Sequence, residues 1–147
     1  MKTITQQLSI KKFPFEIRVD GNLVYFENSI GIWFKREFDL DNNEIYYENS
    51  EGYWDKQEFD LDNNKIYYED SNGYWFKREF DLDNNKIYYE NSDDFWTKRE
   101  YDQSNNQIYF ENSNGVIEDN RPKEIELTLD EIAEKFGVDV NNLKIKK

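Results

Sequence analysis

The sequence predicts a mainly β protein: an antiparallel meander of tandem β-hairpin repeats, twisted or curled and single-layered over part of its length, with a small C-terminal α-helical element. Three observations carry this. Tryptophan recurs at Trp33, Trp54, Trp75 and Trp96, each 21 residues after the last. Within each interval two runs of aromatic and β-branched residues are separated by clusters of Asp, Asn, Ser and Gly, which is a strand-turn-strand signature and not a helical period. High charge and low aliphatic content ordinarily mark disorder, but disordered chains lack aromatics, and 11 Tyr, 11 Phe and 4 Trp imply something that orders them.

Residues 1–29 form an N-terminal segment ending in a half repeat, because Val24-Tyr25-Phe26-Glu27-Asn28-Ser29 matches Ile45-Tyr46-Tyr47-Glu48-Asn49-Ser50. Residues 30–113 hold four hairpin repeats of 21 residues, giving about nine strands with the half repeat. An even loop across Asp41-Asn42-Asn43-Glu44 places Phe34, Arg36, Phe38, Ile45 and Tyr47 on one face. Trp33, Lys35, Glu37, Tyr46 and Glu48 then share the other. An odd period would swap the faces at every repeat unless one turn absorbs a residue. The Asn-Ser-x-Gly turn is the expected place, as a three-residue hairpin closed by a left-handed glycine at Gly31, Gly52 or Gly73, with Asp94 in the fourth copy. Phe34, Phe38, Tyr53, Phe59, Tyr74, Phe76, Phe80, Tyr101 and the Ile45, Ile66, Ile87, Ile108 series make the better candidate core.

Residues 114–147 form a strand-helix module. Pro122 marks the boundary and Glu124-Ile125-Glu126-Leu127 reads as a short strand. Thr128 with Glu131 is a capping-box pattern, followed by apolar Leu129, Ile132, Ala133 and Phe136 at helical spacing, and Gly137 stops the helix. That helix needs an apolar surface and the sheet face needs a cover. Docking of one on the other, or pairing with a second copy through either, satisfies both.

The residue inventory excludes much chemistry. With no Cys and no His there are no disulfides, thiolate or imidazole ligands, or Ser-His-Asp and Cys-His nucleophiles. The repeated Asp39-Leu40-Asp41-Asn42-Asn43 turn lacks the Gly and Glu that a calcium loop requires, and four near-identical carboxylate pairs do not make the single asymmetric pair of a glycosidase. No enzyme activity, metal or cofactor is expected. Nor is a transmembrane helix expected, since no apolar run reaches the ~20 residues it needs. The N-terminus does not read as a secretory signal, so the cytoplasm is the expected compartment, the host's if the chain is phage-encoded.

A formal charge of −13 sets the chain against direct nucleic-acid binding, which relies on Lys and Arg. By block the repeats carry −3, −5, −1 and −3, nearly all of it. Carboxylates recur at Asp39, Asp60, Asp81 and Asp102 and at Glu48, Glu69, Glu90 and Glu111. Equivalent residues lie two strands apart, about 9 to 10 Å, and interleaving of the two rows would approach phosphate spacing. Aromatic columns run beside them at Trp33, Trp54, Trp75, Trp96 and at Tyr46, Tyr67, Tyr88, Tyr109, residue types enriched at binding hot spots. These positions are the candidate partner-binding sites. The leading expectation is a non-catalytic protein-binding inhibitor, an acidic mimic of nucleic acid that enters the basic channel of a nucleic-acid-handling enzyme. The alternatives are a carbohydrate or cell-wall binding module using the aromatic columns, and a structural repeat scaffold.

Several families share parts of this pattern. Phe80-Asp81-x-x-Asn84-Asn85-x-Ile87 resembles the YD repeats of bacterial toxin shells, Tyr-Tyr-Glu-Asn resembles variant MORN repeats, and Trp with Tyr-Tyr is similar to choline-binding cell-wall repeats. All imply hairpin arrays, and the last implies ligands caged between aromatics. Leu127 to Leu143 resembles the helical part of a LysM module and a truncated helix-turn-helix, though it lacks the Gly-Asp that usually precedes the first LysM helix. As a small acidic repeat protein the whole resembles phage-type anti-defence proteins of the anti-CRISPR and antirestriction kind, which implies a host nuclease as partner.

Overall fold

The computed structural model describes residues 2–123 and 127–143. Eleven antiparallel strands form one open sheet in chain order: β1 (Phe15–Val19), β2 (Asn22–Glu27), β3 (Trp33–Phe38), β4 (Glu44–Asn49), β5 (Trp54–Phe59), β6 (Lys65–Asp70), β7 (Trp75–Phe80), β8 (Lys86–Asn91), β9 (Trp96–Tyr101), β10 (Gln107–Asn112) and β11 (Ile117–Asp119). A short helix α1 (Ile4–Leu8) precedes the sheet, and helix α2 (Leu129–Phe136) with a 3-10 turn η1 (Val140–Asn142) follows it. The two strands beyond the expected nine lie at the edges. β1 pairs with β2 across Asp20-Gly21, both in the left-handed region at φ 50° and 87°, as a two-residue hairpin requires. β11 carries Ile117 where earlier copies carry Trp. The strand expected from Glu124 lies outside the described residues up to Leu127, as does the basic tail of Lys144, Lys146 and Lys147.

Both kinds of turn use one device. In the first, Asp39 Oδ1 accepts from the N–H groups of Asp41 and Asn43 at 3.0 and 2.8 Å, while Oδ2 accepts from Asn43 Nδ2 at 3.1 Å. In the second, Asn49 Oδ1 accepts from the N–H groups of Glu51 and Tyr53 at 2.9 and 3.2 Å. Each turn has its left-handed residue fourth, Asn42 at φ 68° and Gly52 at φ 84°. Asn is among the few side chains that tolerate this region, which is why the first turn needs no glycine.

The Asn-Ser-x-Gly turn is the three-residue loop expected, with Asn49 opposite Tyr53. The even loop expected across Asp41-Asn42-Asn43-Glu44 is corrected: this turn also holds three residues, so one further residue must be absorbed within a strand. Glu37 opposes Tyr46 and Phe38 opposes Glu44, so the extra residue is Ile45, in a β-bulge just inside β4. The same shift leaves Val24, Ile66, Ile87 and Ile108 unpaired in their strands. The bulge aims Ile45 at the face of Tyr46, where it lines a shallow groove with Lys35, Glu37, Lys56 and Glu58. Ile45 thus does not join the Phe34 face.

That face is no enclosed core either. Tyr25, Phe76 and Ala133 are the only buried apolar side chains among the described residues. Phe34, Tyr47 and Tyr53 instead form a series of neighbouring rings, as do Tyr68, Phe76, Tyr89 and Phe95, some pairs stacked and others tilted, with centroid distances of 5.6 to 6.3 Å. Such neighbours each contribute roughly 0.2 to 1 kcal/mol. α2 forms with its capping box and left-handed Gly137, but its main packing partner is η1, and Leu129 and Phe136 stay 46% and 72% exposed. Docking of this helix over the sheet face is therefore not what the structure has, and the sheet is a single layer.

At Asp39 the Asn43 amide and N–H hold the carboxyl below its ordinary range; at Asp60 and Asp81 the bonds from Asn64 and Asn85 outweigh a desolvation that pushes upward. The stability these groups confer is complete above about pH 4 and is lost as pH falls through the lowered folded values. Asp81→Ala is expected to lower the urea midpoint more than Asp81→Asn, whose amide oxygen still accepts main-chain N–H groups as Asn49 does. Equal midpoints for the two, or stability unchanged between about pH 5 and 3, would contradict the clamp.

Candidate functional site

The register sorts the repeat side chains into two faces and two turn edges. One face carries Trp33, Lys35, Glu37, Tyr46, Glu48 and their copies. Directly opposed residues run in rows, Glu37-Tyr46-Lys56-Glu69-Trp75 and then Glu58-Tyr67-Lys77-Glu90-Trp96. Each row spans five strands, so the stagger carries every side chain type past every other.

Within this face local contacts recur. Tyr46, Tyr67, Tyr88 and Tyr109 donate to Glu48, Glu69, Glu90 and Glu111 at 3.0 to 3.2 Å. Burial, and for Tyr109 chiefly the Glu111 bond, pushes the phenols above their ordinary value. The ammonium groups of Lys56, Lys77 and Lys98 lie 5.2 to 5.5 Å from the ring centroids of Trp54, Trp75 and Trp96. Trp33 instead stacks on Tyr25 at 6.3 Å.

Both ends of this face are closed by the chain itself. At the start, α1 lies over the first Tyr-Glu pair: Thr5 and Thr3 hydroxyls donate to Glu27 Oε1 at 2.6 and 2.7 Å, and Tyr25 donates to Oε2 at 2.8 Å. Glu27 is left 2% exposed. Burial alone would raise its carboxyl, but these donors outweigh it and hold the group below its ordinary value. Tyr25 is pushed up to about 12, by burial first and then by its bond to Glu27. At the far end Arg121 sits 4.2 Å from the Tyr109 centroid, bonds Glu100 at 3.1 Å and grips Asp119 through two nitrogens at 2.9 and 2.7 Å. The Arg121 hydrogen bonds bring the Asp119 carboxyl down to about 2.

No protein-family model matches the chain, and no curated protein matches it.

The candidate residues thus occupy different places. The Trp33, Tyr46 and Glu48 series share one face, half-buried. Asp39, Asp60, Asp81 and Asp102 lie on one turn edge, with Oδ1 committed to main-chain N–H groups and Oδ2 to an asparagine side-chain amide. Expected interleaving of the Asp39 and Glu48 rows does not occur: Glu48 lies five residues along from Asn43, the cross-strand neighbour of Asp39, or about 15 Å away. The four Asp-closed turns of that edge nevertheless hold seven carboxylates and no cation, because Asp41, Asp62 and Asp83 stand exposed beside the clamped ones, while the β1–β2 turn at the end of the edge adds Asp20 with Arg18 bonded to Gly21. Within residues 30–113 the Trp face has eight glutamates against four lysines, and the Phe34 face has five cations (Arg36, Lys65, Arg78, Lys86, Arg99) against Glu44, Asp55 and Asp70.

Sequence reasoning missed three features: α1, the exposed Glu37, Glu58, Glu79, Glu100 row, and the turn-tip leucines Leu40, Leu61 and Leu82, which are 101% to 104% exposed. Their signals were present, as a Thr3-Gln6 capping box, a second period-21 glutamate, and a leucine between two aspartates in three turns.

Thr5→Val removes a donor from a buried carboxylate and is expected to cost about 1–3 kcal/mol locally. Amide exchange at residues 4–8 should accelerate while β5–β9 stays unchanged; unaltered exchange in α1 would show that the Glu27 contact does not hold it.

Proposed function

We propose that the protein is a non-catalytic, protein-binding inhibitor whose acidic turn edge engages a basic, nucleic-acid-binding surface, in the manner of anti-defence proteins that mimic nucleic acid. The observation that carries this reading is the segregation of charge to one edge: seven carboxylates over four turns, without a cation. Turns two strands apart repeat every ~9.6 Å, so the edge is a linear polyanion on a fixed backbone. A rigid row of charge costs a partner less ordering than a flexible acidic tail and speeds encounter electrostatically. Leu40, Leu61 and Leu82 project from the same edge and supply apolar contact area between the charges. Host nucleases and restriction enzymes are the partner class that fits such a polyanion.

The carbohydrate-binding alternative is less well supported. Sugar rings stack on an open indole face, and at Trp54, Trp75 and Trp96 a lysine ammonium already lies over the ring.

The experiment is capture from bacterial lysate on immobilised protein, with salt titration and duplex DNA as competitor. Asp41→Asn, Asp62→Asn and Asp83→Asn combined leave the Asp39-type clamps in place. Capture of nucleic-acid-binding proteins that is lost with salt, with DNA and with the triple variant is expected. Capture indifferent to all three, or salt-insensitive retention on cell-wall glycan, would overturn the reading.

A further inference from the structure

The Trp face repeats one local arrangement, in which an exposed glutamate directly opposes a tyrosine whose hydroxyl is bonded to a second glutamate. It occurs as Glu37-Tyr46-Glu48, Glu58-Tyr67-Glu69, Glu79-Tyr88-Glu90 and Glu100-Tyr109-Glu111. The outer two are occupied by cations of the chain itself. Lys35 lies 5.3 Å from the Tyr46 centroid and pairs with Glu37. Arg121 lies 4.2 Å from the Tyr109 centroid and pairs with Glu100 at 3.1 Å. The inner two differ. The neighbouring Lys56, Lys77 and Lys98 are drawn onto Trp54, Trp75 and Trp96, which leaves the Tyr67 and Tyr88 rings without a cation and Glu58 and Glu79 exposed without an ion pair among the described residues.

We propose that Glu58-Tyr67 and Glu79-Tyr88 are a pair of arginine-binding sites that take two guanidinium groups of a protein partner, as Arg121 of the chain takes Glu100-Tyr109. Arginine fits better than lysine because a planar guanidinium stacks on the phenol ring while its edge reaches the carboxylate, as Arg121 does. The inner sites have one carboxylate fewer and one cation more than the Arg121 site, since Lys77 and Lys98 stand where Asp119 stands, their ammonium groups drawn aside onto Trp75 and Trp96. Each is therefore weak alone, and the two gain from being engaged together. They lie two strands apart, about 9.6 Å. An α-helix with arginines at i and i+7 presents them about 10.5 Å apart on one side. The proposal rests on the reading of a basic protein partner but assigns it a second, side-chain-specific contact away from the acidic edge.

The test uses the full chain and a synthetic helical peptide with two arginines at i and i+7, a lysine version of equal charge, and calorimetry with NMR of the tyrosine rings. Preferential binding of the arginine peptide is expected, with shifts at Tyr67 and Tyr88. Glu58→Gln with Glu79→Gln should weaken it about tenfold. Thermal unfolding of that variant should match the parent, since neither glutamate holds a turn. Arg121→Ala should add shifts at Tyr109 by freeing the third site. Equal binding of the lysine peptide, weakened only by the Asp41, Asp62 and Asp83 substitutions, overturns the arginine sites while leaving the acidic-edge reading intact. Tight arginine binding unaffected by Glu58→Gln and Glu79→Gln also overturns them, and binding of neither peptide overturns both.

Discussion

One side-chain oxygen per turn carries most of the burden of this fold. With only three apolar side chains buried among the described residues, the usual driving force of a packed core is small here. Order must come from the main-chain ladder, the aromatic neighbours along each face and whatever keeps the strands in register. Asp39, Asn49 and their copies supply the last by closing each three-residue loop with two N–H bonds to one Oδ1. Asn43 extends this beyond one turn: its Nδ2 donates to Asp39 and also to Asn63 Oδ1 at 2.8 Å, and Asn64 and Asn85 repeat the link to Asn84 and Asn105. The turns along one edge are thereby joined into a ladder of amides.

A single-layer sheet has consequences for function. Side chains that a sandwich would hide become two addressable faces, and the bulge at Ile45 keeps the faces distinct from one hairpin to the next. The clamps also decide where charge goes. A carboxylate that closes a turn must sit at the turn, so a sequence of Asp-closed hairpins concentrates anions on one edge, whereas the opposite edge, closed by Asn except at Asp70, adds only Glu51, Asp93 and Asp94 as loop charges. The acidity that makes the chain resemble a polyanion follows in part from how the turns are built.

The repeat, its strand boundaries and the face assignment of Trp33, Lys35, Glu37, Tyr46 and Glu48 were legible because period and alternation are properties of the sequence itself. The location of the odd residue was not. A loop and a bulge can each absorb it, and the Asn42 αL conformation that makes the first loop a three-residue turn is indistinguishable in sequence from an ordinary Asn in an even loop. That ambiguity moved Ile45 to the other face and separated Asp39 from Glu48. β1 and β11 were missed because Phe15–Val19 and Ile117–Asp119 lack the tryptophan on which the repeats align. Helix α2 was legible from its caps, but caps do not specify a docking surface. The self-occupied sites at Tyr109 and Tyr25 depend on Arg121 and α1 folding back onto the face, contacts with no period to reveal them.

Amide hydrogen exchange of the full chain tests most directly whether a sheet with clamped turns and so few buried side chains is ordered along its whole length. Protection should extend through the ladder amides of β3 to β10 and include the Asn43, Asn64 and Asn85 N–H groups that bond Asp39, Asp60 and Asp81. Protection confined to β1 to β3, where α1 buries Tyr25 and Glu27, with the later hairpins exchanging as fast as an unfolded chain, would contradict this account.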